Sequence, residues 1–202
     1  MLDLVAVIVA NGGFILWPIL ATSIAALTVV IERLWRLLPM RRRFGETRAA
    51  CHEALLKGRP VDGAVDASDP LARVFLAGAA VRAHGPDTVR AVAIDAAQRE
   101  VPGLERGLGV VLAASQVAPL LGLLGTAAGL VEAFQAASAT ENVTMQVLAG
   151  GVGRALSATV AGLVVAIPAF LAYVAMSALV GRLTDQLEHA AVDLPVLLAR
   201  VK

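Results

Sequence analysis

Residues Gly107–Val131 read GLGVVLAASQVAPLLGLLGTAAGLV, twenty-five positions without one charged side chain. A second stretch, Ala155–Gly181 (ALSATVAGLVVAIPAFLAYVAMSALVG), is uncharged for 27 residues, and Leu4–Ile31 is uncharged for 28. As helices rising about 1.5 Å per residue, these runs measure roughly 37–42 Å. A hydrocarbon core of about 30 Å needs only about 20 residues. Each run is therefore long enough to cross a bilayer. The rest of the composition agrees. Over 202 residues, 58% are hydrophobic and 16% charged, with a mean hydropathy of +0.76. Soluble domains lie nearer about 45–50% apolar and about 25% charged. A net charge of +1 leaves no basic footprint for nucleic acid. The expected fold class is an all-α membrane protein with three transmembrane helices, the second and third long, and a helical cytoplasmic region.

Basic residues set the expected orientation. Between Glu32 and Arg106 lie 13 Lys and Arg, between Glu132 and Arg154 only Arg154, and from Arg182 onward three. The division follows as 1–31, periplasmic N-terminus and first span; 32–106, cytoplasmic helical segment; 107–131, second span; 132–154, periplasmic connection; 155–181, third span; and 182–202, cytoplasmic tail. The first run begins MLDLV, without the basic start of a signal peptide, and reads as an uncleaved span. Arg33, Arg36, Arg41, Arg42 and Arg43 follow it. They are expected to form solvated faces or to meet anionic lipid headgroups.

Within the cytoplasmic segment, Asp69-Pro70 has the form of an N-cap followed by proline at the first helical position. The helix is expected to run through Leu71, Val74, Phe75 and Val81 and to stop near Gly85-Pro86. A second amphipathic helix is expected over Asp87–Glu100. The single cysteine, Cys51, forms no internal disulfide and is expected to behave as a small buried apolar residue.

The three uncharged runs hold no Asp, Glu, Lys, Arg or His. No metal-ligand set and no acid–base pair lies within them. Ser115 and Ser157 lack a base to activate them as nucleophiles. No enzymatic activity, metal or cofactor is therefore expected. The small and polar residues are nevertheless ordered. Ser115, Pro119, Gly122, Thr126 and Gly129 recur at intervals of three and four; so do Thr159, Gly162, Ala166, Ala169, Tyr173 and Ser177. Each set forms one stripe on a helix. Thr126 and Thr159 lie six and five residues from Glu132 and Arg154. Pro119 and Pro168 lie 13 and 14 residues from the same ends. An antiparallel hairpin thus places threonine at the level of threonine and proline at the level of proline. Three explanations stand: helix packing through small residues such as Gly125-x-x-x-Gly129, a wetted face toward a cavity or partner helix, or a transporter-like substrate site.

The stretch Val117–Val131 (VAPLLGLLGTAAGLV) resembles the second-span signature of the MotA/TolQ/ExbB proton channel family. Leu148–Ala169 (LAGGVGRALSATVAGLVVAIPA) resembles its third span, and Gly12–Pro18 (GGFILWP) with Ile31-Glu-Arg33 its first. Three spans with an outside N-terminus are similar to the ExbB/TolQ branch. The resemblance implies a homopentamer in the bacterial inner membrane whose second and third spans line a pore. A single-span ExbD/TolR-like partner carrying a membrane aspartate sits in that pore, and a TonB/TolA-like protein receives the work. It further implies that Thr126 and Thr159 are the pore threonines, with Ser115 and Tyr173 on the same pathway. Pro119 and Pro168 are the coupling prolines, and Gly122, Gly125, Gly129 and Gly162 shape the helices. Arg154 and Glu132 fall at the periplasmic mouth. Many relatives carry glutamate where this chain has Arg154, a departure that bears on ion entry. A structural scaffold and a solute transporter are the alternative functions.

Overall fold

The computed structural model describes residues 14–57, 61–63, 65–138 and 145–199. The helices are α1 (Leu16–Leu56), α2 (Pro70–Ala80), α3 (Pro86–Glu105), α4 (Leu108–Ser138) and α5 (Met145–Ala199). Single 3-10 turns lie at Val61–Gly63 and Arg82–His84, and no strand occurs among the described residues. Three helical stretches, carried by α1, by α3 with α4 and by α5, are long and apolar enough to cross a membrane. The protein is thus an all-α membrane protein with three such helices and additional helical structure between the first and second.

Helices continue past the edges of the uncharged runs. Backbone hydrogen bonding is indifferent to side-chain charge, so Glu132 lies inside α4 and Arg154 inside α5. Likewise α1 runs through Glu32 to Leu56. The charge boundaries mark a change of surroundings, not the end of an element. Residues 139–144, which include Glu141, lie outside the described residues.

The chain divides into two compact units. One comprises the residues up to Ile31 with Gly107–Val174; the other comprises Glu32–Arg106 with the residues from Ala175 onward. In the first, α4 and α5 approach closely because their facing positions are small. A Cβ added to Gly122 would stand 2.9 Å from the Ala158 carbonyl oxygen and 3.0 Å from the Thr159 Cα. At Gly129 it would stand 3.0 Å from the Ala155 Cβ, and at Gly162 it would collide with the Ala118 carbonyl oxygen. Ile15 reaches the same contact at Gly125, and Ile19 packs against Ala161. Van der Waals fit at this spacing replaces the hydrophobic drive that lipid does not supply.

In the second unit the expected N-cap is present. The Asp69 carboxylate accepts the Leu71 N–H at 2.9 Å and the Thr47 hydroxyl at 2.5 Å. It thereby caps α2 and ties it to α1. Helix α2 ends at Ala80 with Val81 as its cap, a few residues before the expected stop. Gly85, at φ +93°, makes the turn into α3 that a side chain would strain. Arg73 donates to both carboxylate oxygens of Glu100 and to the carbonyls of Ala67 and Ser68. One guanidinium therefore joins α2, α3 and the preceding loop.

Helix α1 presents a buried stripe of Ile19, Ala26, Arg33, Leu37, Phe44 and Cys51, spaced by sevens and fours as a packed helix face requires. Arg33 departs from its expected headgroup or solvent role: it is only 6% exposed. Its Nη1 donates to the Gly103 carbonyl at 3.2 Å. That carbonyl is in the last turn of α3, where no helical N–H is available to it. Arg36, Arg41, Arg42 and Arg43 are exposed.

Candidate functional site

Thr126 on α4 and Thr159 on α5 meet across the glycine-rich contact. Their hydroxyls are hydrogen-bonded to each other. Thr126 Oγ1 is also 3.1 Å from the Gly122 carbonyl oxygen and 3.2 Å from that of Ala155. Thr159 Oγ1 is 3.2 Å from the same Gly122 oxygen. Both side chains are half-buried. The close approach depends on Gly122, since any side chain there would push α5 away and open the four-oxygen cluster.

The cluster has more acceptors than protons. Two hydroxyls bring two hydrogens, yet four oxygen–oxygen contacts satisfy hydrogen-bond geometry. In one arrangement Thr126 donates to Thr159, which donates to Gly122. In the other, Thr159 donates to Thr126, which donates to Ala155. The direction of the threonine–threonine bond reverses between them, with no rotation of either helix required. Such reversal is what a hydroxyl needs in order to pass a proton or orient a water. Neither hydroxyl ionises at ordinary pH, so the pair can relay but cannot store a proton.

Residues 66–189 match the model of the MotA/TolQ/ExbB proton channel family, more than half of the chain and all of the α4–α5 contact. The chain belongs to this family. It is similar to the biopolymer transport protein ExbB-like 3 of Synechocystis, with 32% identity covering 88% of this chain and 90% of that one. It is also similar to the Tol-Pal system protein TolQ of Haemophilus influenzae, at 31% identity over 86% of this chain and 78% of the relative. A shorter alignment to the biopolymer transport protein exbB1 of Vibrio cholerae reaches 42% identity over 41% of this chain. The family resemblance carried by Val117–Val131 and Leu148–Ala169 is therefore correct.

As a member of the MotA/TolQ/ExbB family, the chain places its singled-out residues unequally. Thr126, Thr159, Gly122, Gly125, Gly129 and Gly162 converge in one contact. Ser115 is buried and donates to the Leu112 carbonyl of its own helix at 2.7 Å. Tyr173 is half-buried, 14 residues or roughly 21 Å along α5 from Thr159. Pro119 adjoins Ala118, whose carbonyl faces Gly162. Pro168 lines a groove of about 380 Å³ with Ser23, Ala26, Leu27 and Val30 of α1. Arg154 and Glu132 are both exposed and form no ion pair with each other.

Sequence reasoning missed the inward position of Arg33 and the Arg73–Glu100 pair. For Arg33 the signal was present: it occupies the seven-residue spacing of Ile19 and Ala26. Cys51 behaves as anticipated: it is buried, and burial, with a smaller effect from Asp69, pushes its thiol up to about 12. Among the described residues no group of three or more His, Cys, Asp or Glu is placed to hold a metal.

Proposed function

We propose that this chain is the multi-span subunit of an ion-driven motor in the bacterial inner membrane, coupling proton flow to work across the envelope. The observation that carries the proposal is the Thr126–Thr159 hydroxyl pair, set within uncharged runs that contain no titratable carboxylate. A proton path needs an ionisable group within the bilayer. A partner must bring it, in keeping with a single-span ExbD/TolR-like protein that carries a membrane aspartate. In this mechanism the partner's carboxylate takes up a proton from one side. The threonine pair hands on or orients the water that delivers and removes it. Neutralising the carboxylate lets the partner helix turn past α4 and α5. Ser115 and Tyr173 continue the path, and Pro119 and Pro168 shape the surfaces it turns against. Arg154 and Glu132 stand at the outer mouth.

The chain acts as a homopentamer with its N-terminus periplasmic and its C-terminus cytoplasmic, the orientation favoured by 13 basic residues between spans one and two against one between spans two and three. A TonB- or TolA-like protein receives the work, as the relatives' names in biopolymer transport and the Tol-Pal system suggest. Gentle-detergent purification of the tagged chain from native membranes, with native mass measurement, tests this. Five copies with a small single-span protein bearing a membrane aspartate are expected. A complex lacking such a protein, from membranes known to contain one, would leave the hydroxyl pair as packing alone.

A further inference from the structure

The uncharged runs Gly107–Val131 and Ala155–Gly181 contain one carboxamide between them, Gln116. As helix, the first run extends about 14 Å on one side of Gln116 and about 23 Å on the other. With a hydrocarbon core of about 30 Å, the amide lies well inside it. Gln116 is exposed, and among the described residues its side chain has no hydrogen-bond partner. A second polar group lies beside it. Pro119, inside α4, has no N–H to give the Ser115 carbonyl four residues earlier. The Ser115 hydroxyl is already engaged, donating to the Leu112 carbonyl.

The helical repeat fixes which way this side of α4 faces. At about 100° per residue, Gln116 stands about 120° round the helix from Gly122, which meets Ala158 and Thr159 of α5. Gly125, which meets Ile15 of α1, is nine residues on and so on the opposite side. Leu120, Leu123 and Phe134 share the side of Gln116. They are 64%, 63% and 61% exposed. Within the compact unit that holds α4, neither neighbouring helix covers this side.

We infer that the Gln116 side of α4 is a contact between neighbouring copies of this chain, the amide donating to the next copy's Gln116 oxygen or Ser115 carbonyl. The inference rests on the reading of the chain as a homo-oligomer. Lipid is a poor cover for this side, since hydrocarbon offers an amide and a proline-freed carbonyl no partner. A second copy is a good one. A carboxamide is self-complementary, with two N–H donors and an accepting oxygen. In a closed ring every copy presents it at the same depth, and head-to-tail bonding satisfies them all alike. A single-span partner on the axis of that ring cannot serve every copy equally. Leu120, Leu123 and Phe134 add van der Waals contact around the amide, and such hydrogen bonds are a recognised cause of helix association in membranes.

Cross-linking of the full complex in native membranes tests this. Gln116→Cys and, with the amide kept, Leu123→Cys are treated with a short bifunctional methanethiosulfonate. Leu121→Cys, on the side of α4 that packs toward Ile19, and the unsubstituted chain with its buried Cys51 are the controls. A ladder of chain multimers from the first two variants and none from the controls is expected. Gln116→Leu should weaken each contact between copies roughly threefold, read as earlier dissociation of the ring with rising detergent, and Gln116→Asn should recover part of that. Cross-links only to a smaller protein would give this side of α4 to the partner helix. No cross-link at unchanged native mass would give it to lipid. Either result overturns the inference and leaves the homo-oligomer standing, whereas a native mass of one copy overturns both. Equal dissociation of the Gln116→Leu and unsubstituted rings would remove the amide from the contact. Should Gln116→Cys fail to assemble, Leu123→Cys decides alone.

Discussion

The hydroxyls of Thr126 and Thr159 bond to each other across the α4–α5 contact and share one acceptor, the Gly122 carbonyl, at 3.1 and 3.2 Å. Because they share it, the two residues are not independent. Removing one hydroxyl leaves the other to donate to a backbone carbonyl alone, Gly122 or Ala155 for Thr126 and Gly122 for Thr159, so the reversible threonine–threonine bond is lost.

Thr126→Val and Thr159→Val should each leave assembly intact, with a stability cost of about 1 kcal/mol, while abolishing most proton-dependent function. The double variant should be little worse than either single one, since a relay is broken once. Thr→Ser at either position should restore function. Proton flux in reconstituted complex, beside native mass, measures this; full activity of both valine variants would remove the relay.

Gly162→Ala should destabilise the α4–α5 pair by about 1–3 kcal/mol, because the new methyl meets the Ala118 carbonyl and not a movable side chain. Gly109→Ala, with nothing within 4 Å of the added Cβ, should be neutral or gain up to about 1 kcal/mol of helix propensity. Thermal unfolding in detergent distinguishes them, and equal melting temperatures would contradict the packing described.

Asp69→Ala removes a cap and the acceptor of the Thr47 hydroxyl together, and should cost about 1–2 kcal/mol. Asp69→Asn retains an acceptor oxygen and should recover much of that loss. Denaturant midpoints of the three proteins give the order.

Cys51 should resist alkylation by iodoacetamide at pH 8 in the folded protein and react readily once unfolded, because its thiol is held up to about 12 and only the thiolate attacks. The sign of the linkage follows. The unfolded thiol ionises near its ordinary value of 9.0 while the folded one does not. The thiol's contribution to stability is complete below pH 9 and declines as pH rises from there toward 12. Rapid labelling of folded protein would show Cys51 to be reachable.

The positions of Thr126 and Thr159 relative to Glu132 and Arg154 were enough to place the two hydroxyls at one depth, and the small residues between them predicted a close approach. Charge-free length likewise pointed to three long apolar helices, and the Asp69-Pro70 pair to the start of α2. These features are local or periodic, so they are written in one dimension: a bilayer selects length and apolarity, and a helix repeats every 3.6 residues. What the linear order could not state is rotation. Pro168 shares a groove with Ala26 and Leu27 of α1, neighbours that its depth in the sequence did not name. Arg33 belongs by charge with Arg36 and Arg41 but turns inward to a carbonyl 70 positions away. Gly122 became the shared acceptor only when Thr159 of α5 came within 3.2 Å of its carbonyl oxygen. Azimuth and long-range pairing depend on which faces fit against each other in three dimensions, and that was decided by the tertiary structure alone.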